Sequence, residues 1–311
     1  MKWWRCSAVV LLCPWGLWAQ SSVAPASTDP LVRIALVGDV MLDQTPGRLI
    51  RKGVDPLRHF ASLLKQHDIR VANLETVVAT VGQAVPDKIH TFRAHPRVLS
   101  VVKRHFDAVS LANNHTGDFG RQALVQMLRE IDATGMGRFG AGLDLQGAHQ
   151  PWIVERQGLK IAFLGYNEFF PRSFEADYDR PGIAWSDDDQ VVLDIQWARA
   201  RWGADVVIPF MHWGVEYEPL ASDRQRLLAQ RMIDAGADAV VGTHPHVTQQ
   251  VETYKGKPIF YSLGNFVFDG FTRVEHNTGW LLSLRVDRQG VRDWRIHKAR
   301  LDKEGSPHPA P

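Results

Sequence analysis

The stretch LVRIALVGD, residues 31–39, decides the fold of this chain. It is an apolar run, interrupted only by Arg33, that ends in Gly38 and Asp39. A continuous apolar run of this length is typical of a strand buried on both faces of a parallel sheet. Ligands of open α/β sheets gather beyond the carboxyl ends of the strands, so Asp39 is predicted to face a site there. Gly38 is predicted to let a substrate or metal approach the backbone.

Five further apolar runs end in the same way, each in a short cluster of metal-binding residue types. In chain order they are 69–72 before Asn73 and Glu75, 108–112 before Asn113, Asn114 and His115, 205–211 before His212, 237–241 before His244 and His246, and 258–263 before Asn265. Together with Asp39 they bring carboxylates, asparagines and four histidines to one edge of the sheet. Such a set predicts a metal centre for hydrolysis.

His244-Pro245-His246 is the most specific of these clusters. Residues two apart in an extended segment point the same way, and the proline biases His244 away from helix. The pattern predicts two imidazoles that clamp a metal from one side, with a turn carrying two surface histidines as the alternative. Asn114 is predicted to be a metal ligand and His115 a general acid or base. The alternative for this segment is helix capping, chiefly by Asp118 and less by the asparagines.

Strands alternate with helices along most of the chain, and hairpins interrupt the alternation. Predicted strands cover 32–38, 69–72, 107–112, 151–157, 159–165, 205–211, 238–242, 248–254, 258–263, 279–287 and 291–301, and predicted helices cover 56–66, 96–104, 120–133, 189–202 and 222–235. Segment 166–188 has no periodicity and is predicted to be an ordered active-site loop. This order predicts mixed sheets with helices outside, in one α/β domain over 27–302.

The first 26 residues differ from the rest of the 311-residue chain. A charged start with Lys2 and Arg5 precedes an apolar stretch, 7–18, that is too short to span a bilayer. Residues 1–26 are therefore predicted to be a secretory signal peptide, with a retained anchor as the alternative. The protein is expected to be exported, either to the periplasm or out of the cell. The proline-containing tail 303–311 is predicted to be disordered.

Composition argues against several kinds of site and partner. Both cysteines, Cys6 and Cys13, lie in the signal segment, so any metal must be held by histidine, carboxylate and asparagine. The formal net charge is +2 and no long basic run occurs, so nucleic acid is not expected as a partner. The sequence has no Gly-x-Ser-x-Gly elbow and no glycine-rich phosphate loop. This argues against a serine hydrolase and against the common nucleotide folds.

Six of these motifs occur in a fixed order: Gly38–Met41, Asn73–Glu75, Asn113–His115, His212–Glu216, Gly242–His246 and Ser262–Phe266. The ordered set resembles the CapA family, poly-γ-glutamate capsule synthesis proteins within the calcineurin-like metallophosphoesterase superfamily. The resemblance runs from about residue 32 to residue 287. It implies a four-layer αββα sandwich with mixed sheets.

The resemblance also implies a two-metal site. The implied ligands of one or two divalent ions (manganese, iron or zinc) are Asp39, Glu75, Asn114, His212, His244 and His246, and His115 is the implied catalytic histidine. Residues predicted to support these ligands or to line a substrate cleft are Asn73, Asn113, Glu216, Asn265 and Arg93. Two positions depart from the superfamily pattern. Met41 occupies the position of a histidine ligand in that pattern, and Glu75 occupies the position of a bridging aspartate. A thioether is a poor ligand for hard metals, so one metal position is expected to be weaker or empty.

The function implied by the resemblance is that of an exported metal-dependent hydrolase or transferase, with a metal-bound hydroxide as nucleophile. The expected substrate is poly-γ-glutamate or another cell-envelope polymer, and membrane-bound synthase subunits are the expected partners. Two alternatives are open. One is a non-catalytic export or assembly factor that keeps the fold with a degraded metal site. The other is a general periplasmic phosphodiesterase.

Overall fold

The computed structural model describes residues 1, 3, 30–170 and 172–311. The predicted signal peptide, apart from Met1 and Trp3, and both cysteines lie outside the described residues. No helix in the described ranges is long and apolar enough to span a membrane.

The described residues form eighteen strands and seven α-helices. The strands are β1 Val32–Val40, β2 Ile69–Leu74, β3 Val77–Val78, β4 Arg93–Ala94, β5 Ala108–Ser110, β6 Gly137–Phe139, β7 Ala141–Gly142, β8 Trp152–Arg156, β9 Leu159–Asn167, β10 Gly182–Ile183, β11 Val206–His212, β12 Val240–Thr243, β13 Val251–Tyr254, β14 Lys257–Phe260, β15 Asn265–Val267, β16 Thr278–Asp287, β17 Gly290–Leu301 and β18 Pro307–Pro309. The helices are α1 Gln44–Arg51, α2 Ala61–Leu64, α3 Leu99–His105, α4 Gly120–Ala133, α5 Leu145–His149, α6 Asp188–Ala200 and α7 Asp223–Ala235.

Two large sheets form the centre of the protein, and both are mixed. The first has the order β18-β17-β16-β1-β2-β5-β6, and β15 pairs with the end of β1. In this sheet β1, β2, β5 and β6 run parallel, whereas β16, β17 and β18 pair antiparallel. The second sheet has the order β13-β14-β12-β11-β9-β8, parallel from β14 to β9 and flanked by antiparallel β13 and β8. The strands that precede Asp39 and His212 are therefore interior strands of the two sheets.

The two sheets pack face to face, and helices cover both outer faces. Ile34, Val71 and Leu282 of the first sheet share one buried cluster with Phe163 and Ile208 of the second. The outer face of the first sheet packs against α3 and α4, and that of the second against α6 and α7. The prediction of a four-layer αββα sandwich with mixed sheets is confirmed.

Elements with strong periodicity lie where the sequence predicts them. Helix α4 covers 120–133 as predicted, and the pairs β8–β9 and β13–β14 are antiparallel hairpins. The predicted helix 56–66 is wrong in extent, because only Ala61–Leu64 is α-helical and turns precede it. Helix α1 lies outside the predicted helices. Its Pro46 falls in the first turn, where the missing N–H has no helical partner to lose.

The prediction of a disordered tail over 303–311 is wrong. Pro307–Pro309 forms β18, which pairs with the end of β17. Asp302 fixes the turn before it, because its Oδ1 accepts hydrogen bonds from the backbone N–H groups of Glu304 and Ser306. Proline suggested disorder, but an edge strand tolerates proline since its outer side needs no partner.

Gly38 is required by packing within the protein. A Cβ atom at this position would lie 1.8 Å from the carbonyl oxygen of Gly264. The two backbones are close because the N–H of Asp39 donates to that carbonyl at 3.0 Å, and β15 pairs with β1 just beyond. The chain that comes close to Gly38 is thus the loop before Asn265.

We expect Gly38→Ala to destabilise the fold and to displace Asp39. The added methyl group meets a carbonyl oxygen that cannot rotate away, so the free energy of unfolding should fall by about 1–3 kcal/mol. Gly147→Ala is the matched control, since its nearest atom is a side-chain oxygen of Asp144 at 3.2 Å. Urea unfolding measures both variants, and equal stability of the two would contradict this explanation of Gly38.

Candidate metal centre

The carboxyl ends of interior strands from both sheets meet at one edge of the sandwich. In the first sheet β1 carries Asp39, and Glu75 directly follows β2. In the second sheet β11 ends at His212, and His244 and His246 follow β12. Each of these five side chains is at most 4% exposed. Residues that are far apart in the sequence therefore share one buried site.

The five residues form two groups that share Glu75. One group is Asp39, Glu75 and His246, and the other is Glu75, His212 and His244; within each, one ligand atom per residue lies within 4.8 Å of the others. In the first group His246 Nε2 lies 3.9 Å from Glu75 Oε1, and His246 Nδ1 lies 3.4 Å from Asp39 Oδ2. In the second group His212 Nε2 lies 3.7 Å from Glu75 Oε1 and 3.1 Å from His244 Nδ1. Glu75 thus stands where a bridging carboxylate would stand between two metals.

Asn114 joins the second group. Its Oδ1 lies 2.8 Å from His212 Nε2, the same nitrogen that faces Glu75 and His244. A carboxylate oxygen, an amide oxygen and two imidazole nitrogens therefore converge on one point. This is a donor set suited to a borderline divalent cation.

The polar atoms of the site fit a bound cation. Both carboxylate oxygens of Glu75 and Nε2 of His244 are buried without a hydrogen-bond partner among the described residues. Burial and the neighbouring Asp39 carboxylate raise the pKa of Glu75 well above its ordinary value of 4.5. Burial, and then the adjacent imidazoles, lower the pKa of His212 and of His244 well below 6.5, which leaves both rings neutral. Unpartnered buried carboxylate oxygens are costly, and a cation would satisfy them.

Hydrogen bonds outside the site fix which histidine nitrogen faces inward. The Thr243 hydroxyl donates to the Met211 carbonyl at 3.0 Å and lies 3.1 Å from His212 Nδ1, which is also 3.3 Å from Asn73 Nδ2. Asn265 donates from Nδ2 to the His276 carbonyl, so its Oδ1 accepts from His246 Nδ1 at 2.9 Å. In both histidines Nε2 faces Glu75 Oε1, at 3.7 Å in His212 and 3.9 Å in His246. Metal ligands are typically oriented in this way.

Asn73 and Asn113 form a hydrogen-bonded chain that ends on Asp39. Asn73 donates from Nδ2 to Asp39 Oδ1 at 2.8 Å, and Asn113 donates to Asn73 Oδ1 at 3.0 Å. Asn113 also donates to the carbonyl of Leu74 at 2.9 Å and accepts from the N–H of His115. One amide chain thus connects the ends of β1, β2 and β5.

The interpretation of His244 and His246 as a clamp on one metal needs correction. Strand β12 ends at Thr243, and both histidines have left-handed backbones, with φ of 97° and 56°. Their rings lie 6.0 Å apart and belong to the two different groups. Positive φ at two non-glycine residues is unfavourable and is typical of functional sites. The strained turn directs one imidazole to each side of Glu75.

His115 faces the same site with its own carboxylate partner. Its Nδ1 lies 2.7 Å from Asp118 Oδ2, and its Nε2 lies 3.9 Å from Glu75 Oε1. Asp118 is held by the N–H of Phe92 and by Lys88 Nζ. Burial lowers the pKa of His115, although the Asp118 carboxylate opposes this shift. With Nδ1–H donating to Asp118, the neutral ring presents Nε2 to the site.

Asp118 is a candidate site residue that the sequence analysis did not include in the site. Its position before α4 suggested helix capping, but Phe119 occupies the N-cap and no side chain caps the helix. The available signal was the spacing of His115 and Asp118, three residues apart in a loop after a strand. A histidine and a carboxylate this close in a loop can form an oriented pair.

Comparison with known proteins identifies the family to which this set of residues belongs. The sequence profile of the bacterial capsule synthesis protein PGA_cap matches residues 33–270. The chain belongs to this family. It is 31% identical to the capsule biosynthesis protein CapA of Bacillus anthracis, over 97% of this chain and 75% of that protein. It is 34% identical to the PGA biosynthesis protein CapA of Bacillus subtilis, over 88% of this chain and 74% of that protein.

The resemblance to the CapA family, which acts in poly-γ-glutamate capsule synthesis, is thereby confirmed. Among solved structures, the sulfate thiohydrolase SoxB of Thermus thermophilus aligns with a TM-score of 0.50 and 13% identity. The alignment covers 89% of this chain and 56% of that chain. Similarity at this level of identity shows the fold alone. The fold of this capsule synthesis protein is metallophosphoesterase-like.

Met41 lies beside the site in an apolar environment. It is fully buried and packs with Phe268, Phe92 and Phe271. Its sulfur accepts a hydrogen bond from the N–H of Asp43 at 3.2 Å. The three-residue group of Asp39, Glu75 and His246 therefore has no histidine at position 41 to complete it. The family member described here has an unequal pair of candidate metal positions.

Glu216 and Arg93 lie farther from the ligands than the other predicted residues. Glu216 is half-buried, and its charge contributes to raising the pKa of Glu75, after burial and Asp39. The Arg93 guanidinium donates to the carbonyls of Val81 and Gly82 and stacks 4.2 Å from the Phe119 ring centroid. Among the described residues, these contacts give Arg93 a role in holding loops. Its predicted role at the substrate stays a prediction.

A cavity of about 320 Å³ opens beside the second ligand group. Asn114, Lys88 and Asn167 line one side of it, and phenylalanines that include Phe169 line the other. Asn167 ends β9 opposite His212, and Phe169 lies against His244 with 4.3 Å between ring centroids. Asn167 donates from Nδ2 to the Phe169 carbonyl at 3.0 Å, which identifies its Oδ1 as a buried acceptor without a partner. The segment predicted to be an active-site loop begins at this cavity.

Proposed function

We propose that this capsule synthesis protein is an exported metal-dependent hydrolase or transferase. Its substrate in this proposal is poly-γ-glutamate or another cell-envelope polymer, and it acts in synthesis or processing of that polymer. The observation that carries the proposal is Glu75, whose two buried oxygens lack partners and are shared by both ligand groups. An enzyme that binds no cation has no use for such an arrangement, because it destabilises the fold.

The proposed cofactor is one or two divalent ions of manganese, iron or zinc. Asp39, Glu75 and His246 would hold one position, and Glu75, Asn114, His212 and His244 would hold the other. A divalent cation there supplies Lewis-acid polarisation of the scissile group and lowers the pKa of a bound water. The second position has four candidate ligands and the first has three, so we expect the second position to bind metal first.

His115 is the proposed proton carrier. Its Nδ1–H bond to Asp118 fixes the ring, and the lowered pKa leaves Nε2 unprotonated and able to accept a proton. The proton that Nε2 accepts is then available for the leaving group of the substrate. Phe92, whose ring centroid lies 4.5 Å from that of His115, excludes water from one side of the ring.

The cavity beside the site favours an amide over a phosphoester as the scissile bond. Asn167 Oδ1 is an acceptor and needs a donor from the ligand. An amide carries an N–H that meets this need, whereas an ionised phosphodiester carries only acceptors. A γ-glutamyl amide therefore matches this acceptor better than an ionised phosphodiester group does. The alternative function of a general phosphodiesterase predicts hydrolysis of chromogenic phosphoesters. No detectable hydrolysis of any compound in a screen of them would count against it.

The proposed location is outside the cytoplasm, in the periplasm or beyond the cell. Support comes from the charged and apolar pattern of residues 1–26. Membrane-bound synthase subunits are the proposed partners, as the membership of the capsule synthesis family suggests. The net charge of +2 gives no reason to propose nucleic acid.

We expect about one to two equivalents of divalent metal in the purified protein, and loss of that metal in an Asp39→Ala/His246→Ala double variant. The double change removes both unshared ligands of the first group, so at least that position must empty. A His67→Ala/His95→Ala variant, in which neither histidine belongs to a ligand group, is the control. Elemental analysis after reconstitution with manganese, iron or zinc makes the measurement. No bound metal in the unmodified protein would rule out the catalytic proposal.

The second candidate function is a non-catalytic export or assembly factor. Met41 favours it, since an apolar packing residue has replaced a ligand and leaves one position short of donors. The intact second group and the His115–Asp118 pair argue for catalysis. The two functions differ in their response to loss of His115.

A further inference from the structure

A second cavity, of about 410 Å³, lies between α1 and the 3-10 turn at 96–98. Arginines dominate its lining: Arg48 and Arg51 from α1, Arg93, and Arg97 from the turn. Asp43 is the single acidic side chain in the described lining. Four positive charges thus surround this space against one negative charge.

Three of these arginines have no acidic partner among the described residues. Arg48 donates to the Thr45 hydroxyl at 2.7 Å, and no ion pair joins Arg51 or Arg97 to a carboxylate in the described ranges. All three side chains are exposed. Arg231, by contrast, contacts both Asp188 and Asp189 at 2.7 Å. The cavity concentrates cations that lack counterions, which disfavours it energetically unless an anion binds.

Helix stabilisation does not explain the cluster. Arg48 and Arg51 lie in the last turn of α1, where positive charge is favourable. Arg97 comes from a different element and lines the same space. Arg93 is held by loop carbonyls and by Phe119, so it contributes charge but is not free to reach a ligand. The three exposed arginines are therefore the ones available for binding.

Two short stretches of chain connect residues that line this cavity to residues of the candidate metal centre. Leu42 and Asp43 line the cavity and follow Asp39 closely along the chain. Arg93 also lines it and directly follows Phe92, whose ring packs against His115. Along both stretches the cavity lining is therefore only a few residues from the candidate metal centre.

We propose that this cavity is a subsite for the carboxylates of a polyanionic chain whose scissile bond lies at the metal centre. The proposal rests on the proposed function, because it takes its ligand to be a polymer with repeated carboxylates. A guanidinium binds a carboxylate through two parallel hydrogen bonds, and three of them can engage successive side chains of the polymer. The subsite selects charged polymer over neutral polymer and holds it in register with the metal centre.

The test compares binding of γ-linked oligoglutamate to the full chain and to an Arg48→Ala/Arg51→Ala/Arg97→Ala variant. Isothermal titration calorimetry on metal-loaded protein gives Kd, and an uncharged γ-linked oligoglutamine is the ligand control. Arg129→Ala is the protein control, since Arg129 is exposed on α4 and has no ion pair in the described part of the chain. Metal content and melting temperature establish that the triple variant keeps its fold.

We expect Kd for oligoglutamate to weaken about tenfold or more in the triple variant, and to stay unchanged in Arg129→Ala. The dependence of Kd on salt concentration should also become shallower, because fewer charge contacts remain to be screened. Equal affinity of the triple variant and the unmodified protein would overturn the subsite, as would equal binding of oligoglutamine. Turnover by the unmodified protein is measured separately. If the unmodified protein turns over polymer while the triple variant binds oligoglutamate with unchanged Kd, the proposed function stands and only the subsite is rejected.

Discussion

Glu75→Gln should abolish metal binding at both positions. The variant should be more stable than the unmodified protein when metal is absent and less stable than it when metal is present. Glu75 is the one residue common to both ligand groups, and a neutral amide is a much weaker ligand than a carboxylate. Elemental analysis should therefore find close to no metal in the variant. Turnover of polymer should fall to background, since both positions lose their shared ligand.

The metal-free comparison isolates the cost of the buried carboxylate. Without a cation both oxygens of Glu75 are buried and unpartnered beside Asp39, whereas glutamine carries no charge. We expect metal-free Glu75→Gln to be more stable than metal-free unmodified protein by about 1–3 kcal/mol at neutral pH. With metal at about 1,000 times its Kd, the unmodified protein gains about 4.1 kcal/mol and overtakes the variant. Thermal melts with and without a chelator give both comparisons.

The same comparison has a defined dependence on pH. Burial, and then Asp39, raise the pKa of Glu75 well above 4.5, so the folded metal-free protein binds a proton that the unfolded chain releases. The stability associated with this proton is fully present below pH 4.5 and is lost as the pH rises through the raised pKa. The Glu75→Gln variant should not lose stability over this pH range, because glutamine does not titrate. Glu130→Gln is the control, since Glu130 is half-buried on α4 and belongs to neither ligand group. Parallel pH profiles for Glu75→Gln and the unmodified protein would contradict a buried, metal-dependent carboxylate.

The candidate ligand set could be predicted from the sequence because each candidate ligand follows an apolar run. Asp39 and His212 come at the ends of interior strands, and parallel strands in α/β sheets place their carboxyl ends at one edge. The residues at those ends therefore had to lie near one another once the sheets were predicted. The four-layer architecture followed from the alternation of strands and helices and from the resemblance to a known family.

The division of the ligands between two positions could not be read in the same way. It depends on the left-handed backbone of His244 and His246, which turns one imidazole to each side of Glu75. No local pattern encodes that turn, because both residues adopt φ values that non-glycine residues avoid. Surrounding contacts, including the Asn265 bond to His246, hold the strained turn in place.

Other features were missed because they depend on contacts between distant segments. The role of Gly38 depends on the Gly264 carbonyl, and β18 depends on pairing with β17 at the sheet edge. Asp118 looked like a helix cap, yet its hydrogen bonds go to His115 and to the N–H of Phe92. Tertiary partners, rather than local preference, decided each of these cases.

His115→Ala should keep the bound metal and lose turnover. His115 belongs to neither ligand group, so elemental analysis should find the same metal content as in the unmodified protein. Loss of a positioned proton carrier should lower kcat about 10²- to 10⁴-fold. Asp118→Asn should lower kcat in the same direction while leaving the ring in place, because the amide no longer fixes Nδ1–H toward itself.

A matched control separates chemistry from packing. His105 is also buried and also paired with an aspartate, its Nε2 lying 2.7 Å from Asp55 Oδ2, but it lies at the end of α3 outside the ligand groups. His105→Ala should lower the melting temperature and leave kcat per folded molecule unchanged. If His115→Ala matched His105→Ala in kcat and supported polymer production as well as the unmodified protein, the catalytic role would fail. The protein would then act as an assembly factor, with a metal centre that stabilises the fold and positions the polymer without breaking it.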